Sequence, residues 1–441
     1  MSVGVVGTPS PAPSREPYRL ARGLVAGRST PARLRRAGAV LILGCLLFAL
    51  VSLLSGESRS DAVRDAGSRI SALNADAAEL YRSLADADAM ATSGYVAGGR
   101  EPAPVRARYD EDIQRASRRL VQAAGRLPEG DPAQSPIATI SAQLPIYTGL
   151  VETARAHNRQ GLPLGQSYLD SGSRLMRETM LPAAQELRRL QADALDADYR
   201  RGGGLPFAVV AIGIAALVAV VDVGWQERRR TNRVLSPGLL VAGLALAAAL
   251  TWWAAALLLA GSHLDQAKRH SAAAAALDDA RAAVLLARSN ESLVLVARSG
   301  GAASDTGFTA EIERVLGPAG RGGLLTATTD AVDPVLVGEI REAVASWDEA
   351  HRRLRELDDG GDYRAAVASA TGADPAGSGA AFGRVDGALG AGADGQRQLF
   401  DAELDAAGGA LTALSAGPAV LGVVAAAAAA TGIGRRIGEY R

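Results

Sequence analysis

The side chains best suited to metal ligation or proton transfer are four histidines, His157, His263, His270 and His351, and they are scattered singly among polar neighbours. His263 and His270 stand seven apart on one helical face, a spacing that a metal or pH sensor could use, although ordinary interfacial histidines explain it more simply. Asp86 and Asp88, with Asn290 and Glu291 two hundred residues on, interrupt apolar helices at comparable places. They read as the lining of a ligand pocket between helices or, more simply, as a solvated face. Asp222 falls at the end of an apolar run, where an acidic group marks an ion path or reaches water and the nearby Arg228 or Arg229. There is no phosphate-cradling glycine loop, no H-E-x-x-H and no G-x-S-x-G. The one cysteine, Cys45, permits neither a disulfide framework nor a Cys-based metal site within one chain. The expectation is a protein that is not an enzyme and holds no cofactor and no metal.

The elements that position these residues are helices of two kinds. Four segments, at about 38–54, 206–224, 238–260 and 418–434, are apolar over roughly the 20 residues that cross a bilayer core. The second and third carry almost no charge, and the last is alanine-rich. Three arginine-rich flanks lie on one side. The N-terminal tail, 1–37, has seven arginines; the turn at 225–237 has Arg228, Arg229, Arg230 and Arg233; and the stub at 435–441 has three. Positive residues stay on the cytoplasmic side, so both termini are expected inside and residues 57–204 and 262–416 outside, in the plasma membrane. The tail is long for a signal peptide and no A-x-A site follows Leu54, so the first span is expected to remain as an anchor. Formal charge is zero, and no affinity for nucleic acid is expected.

Outside the spans the apolar positions step by threes and fours. One seam runs from Val63 through Ile70, Leu80 and Leu84 to Ala91, and another runs back from Leu169 through Met176 and Met180 to Ala194, with a kink expected at Pro182. Shorter helices are predicted near 104–126 and 136–159. The predicted fold class is an all-α membrane protein: four transmembrane helices with two extracytoplasmic four-helix-bundle domains, whose first and last helices continue into the spans. Span, outer segment and span recur at an offset of about 200, a tandem repeat echoed by LADADAMATSGYVAGG and LARSNESLVLVARSGG. The glycine-rich stretch 371–396 reads as a flexible loop or a loosely packed return helix. The turns farthest from the membrane suit contact with a soluble partner, and in the first domain they hold Arg100, Glu101, Asn158, Arg159 and Gln160.

The stretches LPIYTGLVETARAHNRQGLPLGQSYLDSGSRLMRETMLPAAQEL, at 144–187, and WDEAHRRLRELDDGGDYRAAVASATG, at 347–372, resemble the actinobacterial GlnX-type four-span membrane sensors. That resemblance implies a relay. An extracytoplasmic solute-binding lipoprotein for acidic amino acids or glutamine would dock outside, and a cytoplasmic serine/threonine kinase of the protein kinase G type would answer inside. Arg228, Arg229, Arg230 and Arg233 are then candidates for the inner contact, and equally for setting topology alone. A homodimer is compatible with this plan. Two rival readings stand beside it: a chemoreceptor-like module that binds a small molecule directly, with Asp86, Asp88 or Asn290 in its pocket, and a cell-envelope scaffold that needs no ligand.

Overall fold

The computed structural model describes residues 30–99, 101–127, 130–202, 207–231, 236–297, 301–328, 331–371 and 374–438, and in several helical stretches, among them 56–75, 192–202, 227–231 and 411–415, the backbone alone. Regular structure among these residues is entirely helical. In chain order the α-helices are α1 (Thr30–Val96), α2 (Ala103–Arg126), α3 (Gln134–Arg159), α4 (Leu164–Leu175), α5 (Leu181–Gly202), α6 (Phe207–Thr231), α7 (Pro237–Ala297), α8 (Ala302–Leu316), α9 (Pro334–Asp359), α10 (Tyr363–Ala370) and α11 (Ser378–Gly438). Four apolar stretches are long enough to cross a membrane: Arg36–Ser55, Val209–Gln226, one within α7, and Ala416–Arg435. They overlie the four predicted spans, and they make a multi-pass membrane protein the natural reading of the chain.

The chain divides into two compact units, one holding the apolar stretches and the other holding residues 60–204 and 259–409. In the apolar unit, small residues bring helix axes together, since lipid offers no hydrophobic drive for helix association. A Cβ placed on Gly238 of α7 would lie 2.5 Å from the Ala428 carbonyl oxygen of α11, and one on Gly422 of α11 would lie 3.2 Å from the Cys45 carbonyl oxygen of α1. Gly213 of α6 fits against both Phe48 of α1 and Leu250 of α7. The pairs Gly38 with Ile433, Gly44 with Ala216, Gly243 with Val220 and Gly238 with Gly432 close a ring of four antiparallel helices. This pairing puts the arginine-flanked end of every helix at the same end of the ring.

In the second unit, the outer one by its expected side of the membrane, the two segments share one core. A single apolar cluster runs from Leu80, Leu84 and Tyr147 through Met176 and Met180 to Leu277, Phe308, Trp347 and Leu389. Its axis is a parallel pair, α1 with α7. Every residue from 83 to 94 is buried, as is every residue from 287 to 295. Alanines at 85, 87, 89 and 91 of α1 and at 280, 282, 283 and 287 of α7 leave room for a close approach. Ser93 meets Ser292 at 3.2 Å, and Ser289 donates to Asp88 at 2.7 Å, so the two helices pair at the offset at which the sequence echoes itself. The two segments, expected as separate bundles, therefore contribute to one core among the described residues.

Three further expectations change. Asp86, Asp88, Asn290 and Glu291 do not lie on a solvated face; each is buried in the outer unit, Asp88 and Glu291 completely. The glycine-rich stretch is neither loop nor loose helix from Ser378 onward: Phe382, Val385, Leu389 and Ala393 of α11 are buried, and Gly392 fits against Leu277 and Leu336. The helical run before the second span is interrupted within the described residues by a single π-turn, Met176–Met180, which separates α4 from α5; α5 is described to Gly202 and α6 from Phe207. The π-turn has a local cause in Pro182, whose missing N–H cannot serve the i−4 carbonyl, while the Leu181 N–H reaches back five residues to Met176. α1, α7 and α11 run unbroken from apolar stretch to outer segment.

Candidate functional site at the far end of α1

α1 and α3 both end at glycines in the left-handed region, Gly98 at φ 72° and Gly161 at φ 70°, where an L side chain would be strained. The two ends are tied together by Asn158, whose amide donates to the Tyr95 carbonyl at 2.8 Å. Beside this tie lies a cleft of about 470 Å³, lined among others by Gly94, Glu101, Arg106, Glu152, Arg155 and Arg159. Arg155 is its centre. It is only 4% exposed, its guanidinium lies 4.1 Å from the centre of the Tyr109 ring, and it donates to Glu152 and Glu101 at 2.8 Å each. Arg106 pairs with Asp110 and Glu152 at 3.1 Å on the rim. The Glu101 carboxylate lies directly over Gly94, where a Cβ would be 2.2 Å from its oxygen, so only glycine admits it. Burial pushes the Tyr109 hydroxyl up, well out of the range in which it would ionise.

Of the residues expected at this tip, Glu101, Asn158 and Arg159 line the cleft. Gln160 is exposed in the adjoining turn, its N–H bonded to the His157 carbonyl at 3.1 Å. Arg100 lies outside the described residues. Arg228, Arg229 and Arg230 fall in the last turn of α6, described by backbone alone, and Arg233 lies outside the described residues. Arg155, Tyr109 and Gly94 carry the cleft, yet the sequence marks none of them: Arg155 reads there as one more helical arginine three residues after a glutamate.

Below the tip the buried polar groups form networks that join the two outer segments. Asp88 accepts from Ser173 at 2.8 Å, Ser289 at 2.7 Å and Tyr147 at 3.3 Å. Burial still drives its carboxyl above the usual range, against those donors and Arg177. Arg108 spans Asp86 and Asp386, at 2.8 and 2.7 Å. Glu291 accepts from Arg288 and Ser378 and meets His351, which also reaches Asp305 at 3.0 Å and stacks on Phe308. Burial opposes ionisation of Glu291, but His351, Arg288 and Ser378 outweigh it and hold the carboxyl below its ordinary range. Asn290 faces a second cavity of about 440 Å³, with Tyr81, Arg177, Gln185 and Glu311, and accepts from Arg177 at 2.8 Å. His263 pairs with Glu403 and His270 with Gln396. Asp222 accepts from Gln226 at 2.7 Å, and the side chains of Arg228 and Arg229, its expected partners, lie outside the described residues. Among the described residues no three His, Cys, Asp or Glu side chains converge as a metal cage.

The cleft, the π-turn and all of the Asp88 network but Ser289 fall within one stretch of chain. Residues 62–200 match the family model of the actinobacterial sensor domain. The match supports a sensor of actinobacterial type, and it covers the first outer segment while leaving the second, and most of the apolar helices, outside it. No curated protein and no solved structure matches the chain. Arg155 and its cleft lie within the matched residues, as does all of the Asp88 site except Ser289.

Proposed function

We propose that the protein is a non-catalytic transmembrane signal transducer of the GlnX type, which relays amino-acid availability from an extracytoplasmic solute-binding lipoprotein to a cytoplasmic serine/threonine kinase. The observation that carries this reading is the sensor-domain match on the segment whose far end bears the polar cleft. A docked partner need only favour one of two arrangements of the outer unit; its differential affinity for them sets the size of the signal. α1, α7 and α11 are unbroken rods, so a small shift at their far ends moves their apolar stretches as well. The arginine-flanked ends, with Arg228, Arg229, Arg230 and Arg233, then present a changed surface to the kinase. On this reading the inward step passes to a separate protein, the kinase.

Crosslinking from native membranes with a tagged chain, with and without added amino acids, tests the relay. Recovery of a solute-binding lipoprotein and a kinase supports it. Recovery of neither, while the purified protein binds an amino acid, moves the function to direct reception. The 440 Å³ cavity, with Arg177 and Asn290 at its wall, is where that second reading would place the ligand. Unchanged kinase output after removal of the four turn arginines would overturn the inner-face assignment.

A further inference from the structure

Arg155 is held in an unusual way for a buried cation. Its Nη1 goes to Glu152 and its Nη2 to Glu101, but its Nε, although buried, has no hydrogen-bond partner. Nε–H and Nη2–H form one edge of the guanidinium, and that edge is matched by the two oxygens of a single carboxylate. Glu101 meets only half of it. Its carboxylate is tethered by the turn between α1 and α2 and lies over Gly94, so it delivers one oxygen, Oε1, to the edge. A buried donor left unmet costs its full desolvation, which a better-placed carboxylate would recover. Arg159, one helical turn beyond Arg155 on α3, lines the same cleft, is exposed and carries no ion pair among the described residues. The cleft therefore offers an unfilled fork, a second cation at its mouth, and about 470 Å³ of space.

We propose that this cleft is a carboxylate-binding site in which Glu101 serves as an internal stand-in, displaced when a carboxylate from outside the chain takes the Nε/Nη2 edge of Arg155. The displaced Glu101 leaves its place over Gly94 and thereby changes the packing at the far end of α1. Binding is converted at that point into a change in a helix that runs on to an apolar stretch. The proposal rests on the reading that the tip is the input face, and it names the chemistry recognised there.

The test uses the purified full-length protein in detergent, with two probes. Propionate is the Glu side chain as a free molecule, and the blocked peptide acetyl-Gly-Glu-Gly-amide carries the same group on a polypeptide. Calorimetry is expected to give at least a tenfold lower Kd for one or both probes with Glu101→Ala than with the wild type. Arg155→Lys in the Glu101→Ala background keeps the charge but loses the fork, and is expected to abolish the gain. Should Glu101→Ala fail to fold, Glu101→Gln keeps the shape and removes the charge, and it is expected to bind more tightly than the wild type. Preference for propionate assigns the site to free small carboxylates, and preference for the peptide assigns it to an acidic side chain on a partner. Equal binding by wild type and the Glu101 variants, binding by none, or full binding after Arg155→Lys overturns the proposal. No lipoprotein or kinase enters this experiment, so its failure is separate from failure of the relay, which the crosslinking measures.

Discussion

Asp86 and Asp112 are buried beside each other in the outer unit, 3% and 1% exposed, each with one carboxylate oxygen that only a proton held between them would satisfy, with Arg108 and Arg115 on their other oxygens and Asp386, Arg281 and Glu79 beyond those arginines. Two buried carboxyls that share one site cannot both ionise cheaply. Burial, followed by the Asp86 charge, pushes Asp112 up to about 8. An unfolded aspartate ionises near about 3.9, so between roughly pH 4 and 8 the native pair holds a proton that the unfolded chain has released. Stability from this pair accordingly falls as pH rises through that window. Asp112→Asn keeps the hydrogen bond without the titration, and its melting temperature in detergent is expected to fall less than that of the wild type between pH 5 and 8. The raised His351, for which burial is outweighed by Glu291 and Asp305, adds a loss of its own as pH climbs past the ordinary imidazole range, and that loss should survive in Asp112→Asn. Asp88→Ala strands the hydroxyls of Tyr147, Ser173 and Ser289 and is expected to lower unfolding stability by about 1–3 kcal/mol, read from denaturant titration. None of these burials was legible in the sequence. An acidic pair in a helix looks the same whether water or a second helix faces it, and the partner helix here comes from two hundred residues away.

At the scale of elements the sequence was a better guide. An apolar run without charge has one physical solution, and the four runs overlie the four apolar helices; the helices at 104–126 and 136–159 lie within two or three residues of α2 and α3. Pro182 signalled a disturbance in its helix but not its form. A π-turn inserts one extra residue per turn and leaves the seam apolar, so Met176 and Met180 are both fully buried on either side of it. Glycines in the apolar helices were likewise ambiguous, since only the neighbour decides whether a glycine is a contact. Gly238, whose Cβ would strike Ala428 and Gly432, is expected to tolerate no leucine: Gly238→Leu should destabilise the apolar ring by about 1–3 kcal/mol or more, with a lower melting temperature and poorer recovery from membranes. Gly434, with open space around its Cβ position, is the matched control, and Gly434→Leu should leave both measurements unchanged.

For the whole molecule, the arginine-flanked ends of four antiparallel helices share one end of the ring, and under the positive-inside rule that is the end expected in the cytoplasm. Cys45 is the sole cysteine and fully buried, so single reporters are easily introduced in a Cys45→Ala background. Gln160→Cys is expected to react with a membrane-impermeant maleimide on intact cells, and Gly434→Cys only after the membrane is opened; the reverse pattern would invert the topology. That two outer segments would form helices was readable from their seams. That they would share one core was not, because periodicity identifies an apolar face without saying whose apolar face covers it. This shared core also has a consequence for biosynthesis. If the two outer segments are exported as expected, the first precedes the helix that buries Asp88 and completes its core by about two hundred residues, which at roughly 5–20 residues per second is a wait of about 10–40 seconds. Through that interval a half-built hydrophobic surface would stand outside the membrane, exposed to proteases. Because the halves meet only after export, a gene split within the cytoplasmic turn should still yield the assembled protein from two co-expressed pieces.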